Sequence, residues 1–182
     1  MNTSKSESFY SSKTETSSIK DKLKSCFKEG EKGERHKGLR KIQISQEIID
    51  GHVKKAIHNF NAIDIFNNIG YSDWSAVAAF YSLYHLLLSI IAKKGFESRN
   101  QSCTFALIEN MINKKELSLT KEELKEIFDK DTTEGLQHSN KILDIRENMQ
   151  YSIKTLLKEQ EFLSLKERTK FLFDKLRKEV ER

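Results

Sequence analysis

The stretch from Ser72 to Lys94 is the most apolar part of the chain, and its hydrophobic positions fill both faces of a helix. A helix that is apolar all round must be buried on all sides, in a protein core or in a bilayer. The apolar run is near the lower end of the roughly 17–25 residues that a membrane-spanning helix needs, and polar side chains such as Tyr84 and His85 interrupt it. We therefore expect a central core helix capped by Ser72 or Asp73, and no membrane span.

Amphipathic segments precede and follow this helix. Their spacing predicts further helices over residues 45–68, 103–112, 121–130, 142–158 and 165–180. The short turn at 67–71 makes the first of these and the central helix an antiparallel hairpin. Residues 95–102 are expected to form a polar loop, and Thr120 with Glu123 predicts a capping box. The inward stripe predicted for the first helix consists of Ile48, Ile49, His52, Val53, Ala56, Ile57, Phe60, Ile63, Ile65 and Phe66.

The composition changes this picture little. A chain of 182 residues without proline suits one all-α domain, an antiparallel up-down bundle of about five to six helices. Cys26 and Cys103 form no CxxC pair, and no secretory signal is apparent, so we expect reduced thiols in the cytoplasm. The histidines lack ligand-like spacing, so we expect neither a metal nor a cofactor. His85 is predicted to be buried and hydrogen-bonded.

The positive charge lies at the start of the chain. Residues 1–41 hold 11 Lys and Arg against 6 Asp and Glu, and the remaining 21 basic and 21 acidic residues cancel. We divide the chain into a disordered basic tail and linker over residues 1–38, with a short helix at 19–27, and a helical domain over 39–182. The tail suits a weak, salt-sensitive contact with RNA, whereas the neutral domain does not offer a broad nucleic-acid surface.

Several segments from residue 36 onward resemble one family, the HEPN superfamily of small helical proteins. The resemblance rests on HKGLRKI, on NNIGYSDWSAVAAFYSLYHLLLSIIAKKGFESRNQ and on IRENMQYS. It implies a helical bundle that often dimerises. Many members are toxins or defence ribonucleases, and others accompany a minimal nucleotidyltransferase partner.

The ribonuclease members of that family share an Arg followed four to six residues later by His. A base must remove the ribose 2′-OH proton and an Arg must hold the phosphate. Arg146 matches the Arg, but the positions for His hold Tyr151, Ser152 and Ile153. We therefore assign no catalytic residue and expect a ligand-binding domain. The alternative is a ribonuclease toxin with a divergent site, held in check by a nucleotidyltransferase antitoxin.

The candidate ligand-binding residues form two groups. One group is a polar strip on the helix predicted at 142–158, formed by Arg146, Glu147, Gln150 and Tyr151. The other group is the loop before the helix predicted at 103–112, with Glu97, Ser98, Arg99, Asn100 and Gln101. If both face one cleft, Arg99 and Arg146 can clamp a phosphate of a nucleotide or RNA. A partner protein is the other ligand considered. The structural alternatives are a pairing of Arg146 with a carboxylate such as Glu97, and simple helix capping by the loop.

Overall fold

The protein is an all-α helical bundle with one very small sheet. The structure, a computed structural model, describes residues 18–32, 37–128 and 153–182, and also Ile142, Ile145, Arg146 and Met149. The elements in chain order are α1 (residues 18–30), β1 (Leu39–Lys41), α2 (Gln46–Asn68), α3 (Ser72–Lys93), β2 (Phe96–Ser98), α4 (Gln101–Asn113), α5 (Lys121–Ile127) and α6 (Glu159–Glu181). The four separate residues between α5 and α6 are helical too. The predicted fold class is confirmed.

The central helix α3 packs against α2 as the predicted antiparallel hairpin. Near one end, the buried Ser75 hydroxyl donates to the Ile63 carbonyl at 2.8 Å, and near the other the Ser89 hydroxyl donates to the Ile49 carbonyl at 3.2 Å. Small serine side chains let the two backbones approach closely while keeping each buried hydroxyl bonded. By length and composition α3 could cross a membrane, but 83% of its most apolar stretch is buried inside the fold. It is therefore a core helix, consistent with a soluble protein.

The buried stripe of α2 is narrower than its sequence predicts. Ile49, Ala56 and Ile63 are fully buried, as expected. Three of the predicted inward residues are instead exposed, which corrects the prediction for Ile48, Ile57 and Ile65. The side of α2 that carries them packs against no other described helix strongly enough to cover them.

The start of α3 also differs from its prediction. Gly70 adopts the left-handed conformation, with φ of 81°, that a turn between two helices requires. The N-cap, however, is Tyr71, and no side chain caps the helix there. The hydroxyl of Ser72 instead accepts a hydrogen bond from the Leu157 amide at 2.7 Å and so attaches the chain before α6 to the central helix.

Helices α5 and α6 close the bundle and follow the sequence more closely. The capping box of Thr120 and Glu123 is present, and Glu123 also accepts a charge-assisted hydrogen bond from Lys175 on α6 at 2.7 Å. Helix α6 begins at Glu159, earlier than predicted, whereas residues 154–158 are not helical, so the predicted 142–158 helix ends too late. The predicted inward stripe of α6 is confirmed, with Thr169, Leu172, Phe173, Leu176 and Val180 all buried.

A two-stranded sheet replaces part of the expected polar loop. Strand β1 pairs with β2 in antiparallel register, Leu39 opposite Ser98 and Arg40 opposite Glu97. Strands of three residues are too short to give a periodic pattern, and Gly95, with φ of 79°, provides the turn out of α3.

Helix α1 confirms one prediction about the first 38 residues and corrects another. Residues 18–30 are helical, which confirms and lengthens the short helix predicted at 19–27, and Ile19, Leu23 and Cys26 lie in the core. Cys26 is joined to Cys103 of α4 by a disulfide, so the expectation of two reduced thiols is wrong for this structure. The boundary of the helical domain at residue 39 therefore leaves out a helix that packs on it.

Candidate ligand-binding site

A buried chain of hydroxyl groups links α3 to the segment over residues 97–101. The Thr104 hydroxyl donates to Ser98 Oγ at 2.8 Å, and the Ser98 hydroxyl donates to the Asn100 carbonyl at 3.0 Å. Tyr84 Oη lies 3.2 Å from Thr104 Oγ1. A hydroxyl carries one hydrogen, and that of Thr104 can be accepted by Ser98 Oγ or by the Asn100 carbonyl at 3.1 Å. With the Thr104 hydrogen used in either way, Tyr84 is the donor to Thr104. The chain therefore runs from Tyr84 to Thr104 and on to the Asn100 backbone, directly or through Ser98.

The same segment begins helix α4. The Asn100 side chain accepts from the Cys103 amide at 3.0 Å and is the N-cap, while Gln101 is the first residue of the helix. The capping alternative is thus confirmed for Asn100. Arg99 donates to Glu97 at 3.1 Å, and its side chain is 60% exposed, so this ion pair is a surface contact that leaves the guanidinium accessible to solvent.

Arg146 lies over an aromatic pair on α3, formed by Phe80 and Tyr84. Its guanidinium carbon is 4.1 Å from the centroid of the Phe80 ring, close enough for a cation–π interaction. Phe80 is fully buried and stacks on Tyr84, with ring centroids 5.7 Å apart and planes 9° apart. Arg146 is therefore connected through Phe80 and Tyr84 to the hydroxyl chain that ends at Asn100.

His52 of α2 and His85 of α3 contact each other where the two helices pack, next to Tyr84. The Nδ1 atoms of His52 and His85 are 3.2 Å apart and their ring centroids 5.4 Å apart. The difference, 5.4 − 3.2 = 2.2 Å, is close to the sum of the two ring radii, so the nitrogens face each other almost in line. This is the geometry of an N–H···N hydrogen bond, in which one imidazole donates and the other accepts. His85 is hydrogen-bonded as predicted, but it is only half-buried.

Burial is the main influence on both imidazoles and favours their neutral form. Burial, together with the nearby His52 and Lys55, lowers the pKa of His85 to about 4. Burial also lowers the pKa of His52, although the Glu97 carboxylate opposes this effect. Burial raises the pKa of the Tyr84 phenol. Burial thus moves the pKa of each of these three groups away from neutral pH.

The structure brings together only part of the predicted site. Ser98 and Asn100 lie in the hydroxyl chain, and Arg146 joins it through aromatic rings. Glu147, Gln150 and Tyr151 lie outside the described residues, so the helical strip stays a prediction. The sequence reasoning missed Phe80 and Thr104, which connect Arg146 to the segment over residues 97–101, and it missed the His52–His85 pair. For Phe80 and Tyr84 a signal existed, since residues four apart share one face of a helix.

Within the described part of the chain, no three His, Cys, Asp or Glu side chains lie close enough together to hold a metal ion. Comparison with models of known protein families and with curated proteins finds no match for this chain.

Proposed function

We propose that this chain is a HEPN-like helical domain that binds a phosphate-bearing ligand of the nucleotide class, RNA above all, without cleaving it. The supporting observation is the position of Arg146, which covers Phe80 and through Tyr84 is linked to the hydroxyl chain of residues 98–104. Phe80 and Tyr84 lie on one side of α3, and this supports a common location for Arg146 and the segment over residues 97–101. A cation held on a rigid aromatic face loses little conformational freedom when it meets a phosphate.

Tyr81 would provide the contact for a base. Its side chain is 39% exposed, and its ring meets Phe80 edge-on with centroids 5.2 Å apart. Tyr81 and Arg146 both contact the Phe80 ring, and an exposed aromatic ring together with a guanidinium is a combination that binds single-stranded nucleic acids by stacking and by charge. Because the formal charge of residues 42–182 is zero, we expect weak binding that salt weakens further.

Among the described residues of the site, no side chain has a pKa shifted toward that of a general base, which supports binding without cleavage. The position of the family's catalytic His holds Tyr151, Ser152 or Ile153, and the nearby imidazoles have lowered pKa values. An imidazole with a pKa of about 4 is a weak base at neutral pH.

The test is fluorescence anisotropy with a short labelled single-stranded RNA, with ATP as a competitor, for wild type, Arg146→Ala and Arg99→Ala. Loss of a charge-assisted contact should weaken binding about tenfold or more for Arg146→Ala and less for the exposed Arg99. Arg177→Ala is the matched control, because it removes the same charge from α6, where Arg177 pairs with Glu181. Gel analysis of the same RNA completes the test, since Arg146-dependent cleavage would overturn the proposal in favour of the ribonuclease.

We propose further that the protein is a cytoplasmic homodimer and can pair with a nucleotidyltransferase-type protein. Exposed apolar residues on the long helices α2 and α6, among them Ile57, Ile65 and Phe171, support a self-association surface. The burial of α3 supports a location away from the membrane. The partner protein rests on the family resemblance alone. Light scattering coupled to size exclusion tests the dimer, and a monomeric mass at high concentration would contradict it.

A further inference from the structure

Helix α1 is held to the bundle by few apolar contacts and one covalent bond. Its buried side chains are Ile19, Leu23 and Cys26, and the partly buried Phe27 ring lies 5.7 Å from that of Phe96 in β2. Most of its other positions are exposed. These contacts are confined to one face of a short helix, and the Cys26–Cys103 disulfide adds a covalent restraint on its position.

The covalent bond ends inside the candidate site. Cys103 is in the first turn of α4, and its amide donates to the Asn100 side chain that caps the helix. The next residue, Thr104, is the middle member of the hydroxyl chain. A displacement of Cys103 would therefore move both the cap and the hydroxyl chain.

The end of α1 also supports the small sheet. Arg40 of β1 donates to the Gly30 carbonyl, and the Arg99 amide donates to the Gly38 carbonyl at 3.3 Å. A Cβ at Gly30 would collide with the Leu39 carbonyl, and one at Gly38 with the Cys26 carbonyl, so the backbones are in direct contact here. Helix α1 is thus packed directly on β1, which pairs with the strand that carries Glu97 and Ser98.

We propose that the Cys26–Cys103 disulfide is a redox-sensitive clamp that keeps the Glu97–Gln101 segment in its ligand-binding arrangement. This rests on the proposed function, since it describes how that site is regulated. In the oxidised form α1 is fixed over β2 and the start of α4. Reduction releases α1, uncovers Phe96 and loosens the Asn100 cap and the hydroxyl chain.

The chemistry is thiol–disulfide exchange with a thiol reductant. A thiolate attacks one sulfur, the Cys26–Cys103 bond breaks, and a mixed disulfide forms. A second thiol resolves it, so two electrons and two protons pass to the protein, giving two thiols and an oxidised disulfide of the reductant. Both cysteines are only 1% exposed, so the reductant gains access when α1 opens locally. Disulfides in a reducing compartment are commonly transient and redox-sensing, which suits the proposed cytoplasmic location.

Hydrogen–deuterium exchange of the full chain tests the clamp. Wild type is measured as purified without reductant, after reduction with dithiothreitol, and again after reoxidation. Cys26→Ala is measured with and without dithiothreitol. Reduction should speed exchange about tenfold or more in residues 18–30 and several-fold in 96–104, and should leave the α2–α3 hairpin unchanged. Cys26→Ala should exchange at the rates of the reduced wild type, and dithiothreitol should not change those rates. RNA affinity should fall several-fold on reduction and return on reoxidation.

Three results would overturn the clamp: two free thiols in the protein purified without reductant, unchanged exchange in α1 after complete reduction, or faster exchange throughout α2 and α3. The reversible wild-type comparison decides the question even if Cys26→Ala does not fold. Release of α1 without RNA binding in either redox state would support the clamp and overturn the proposed function, so the two failures are distinguishable.

Discussion

The hydroxyl chain that joins α3 to the ligand-binding segment makes a quantitative prediction for Thr104→Val. Thr104 is fully buried, and valine keeps its shape while removing the hydroxyl that accepts from Tyr84 and donates to Ser98. A lost neutral hydrogen bond costs about 1 kcal/mol, and a buried donor left without an acceptor costs about 1–3 kcal/mol. We therefore expect Thr104→Val to lower the free energy of unfolding by about 2–4 kcal/mol.

Tyr84→Phe separates the two costs. It removes the donor itself and should cost about 1 kcal/mol, since no buried donor is then left unsatisfied. The double variant lacks the Tyr84 hydroxyl that Thr104→Val alone would leave without an acceptor. Its loss in the free energy of unfolding should therefore be about 1 kcal/mol smaller than the sum of the losses of the two single variants. Urea unfolding of the four proteins, monitored by circular dichroism, measures this coupling energy.

Thr169→Val provides the matched control. Thr169 is equally buried, but its hydroxyl donates only to the Leu165 carbonyl one turn back in α6, at 2.6 Å. Removal of such a local bond should change stability by less than about 1 kcal/mol. A coupling energy near zero, or equal losses for Thr104→Val and Thr169→Val, would refute the hydroxyl chain as a unit.

Three further predictions concern stability. Gly30→Ala should displace α1, because the added Cβ would collide with the Leu39 carbonyl. Gly51→Ala, which has open space around it in α2, should instead stabilise the protein by about 0.5–1 kcal/mol. Thermal unfolding of the two variants compares them, and equal effects would contradict the close contact at Gly30. Because the pKa of His85 is lowered from 6.5 to about 4, its stabilising contribution is complete above pH 6.5 and is lost as the pH falls toward about 4. The expected loss in the free energy of unfolding is about 1–2 kcal/mol after allowance for solvent screening. A His85→Gln variant whose stability falls equally steeply with acid would show that other groups cause the loss. Thr120→Ala should cost about 1 kcal/mol by removing the cap of α5, and an unchanged urea midpoint would argue against the capping box.

Periodicity predicted the parts of the fold that depend on long apolar patterns. The all-round apolar character of residues 72–94 indicates burial whatever the partners are, and the turn around Gly70 is too short for any arrangement but a hairpin. The stripe of α2 was overestimated at Ile48, Ile57 and Ile65, because a pattern shows which residues are apolar but not how many neighbours cover them.

The rest depends on contacts between residues far apart in sequence. Cys26 and Cys103 are separated by 77 residues, and neither the disulfide nor the pairing of β1 with β2 leaves a local signal. The same is true of His52 and His85, which come from different helices. For the site, the sequence indicated Arg146 and Ser98, and the structure supplied Phe80, Tyr84 and Thr104 as the connection between them.

The most direct test of a shared ligand site is a titration of isotope-labelled protein with a short single-stranded RNA, followed by NMR. We expect the amides of residues 97–101 and the side-chain Nε–H of Arg146 to shift together, with one dissociation constant, and the α6 amides near Arg177 to stay unchanged. Shifts confined to one of the two groups, or different dissociation constants for them, would contradict a single site.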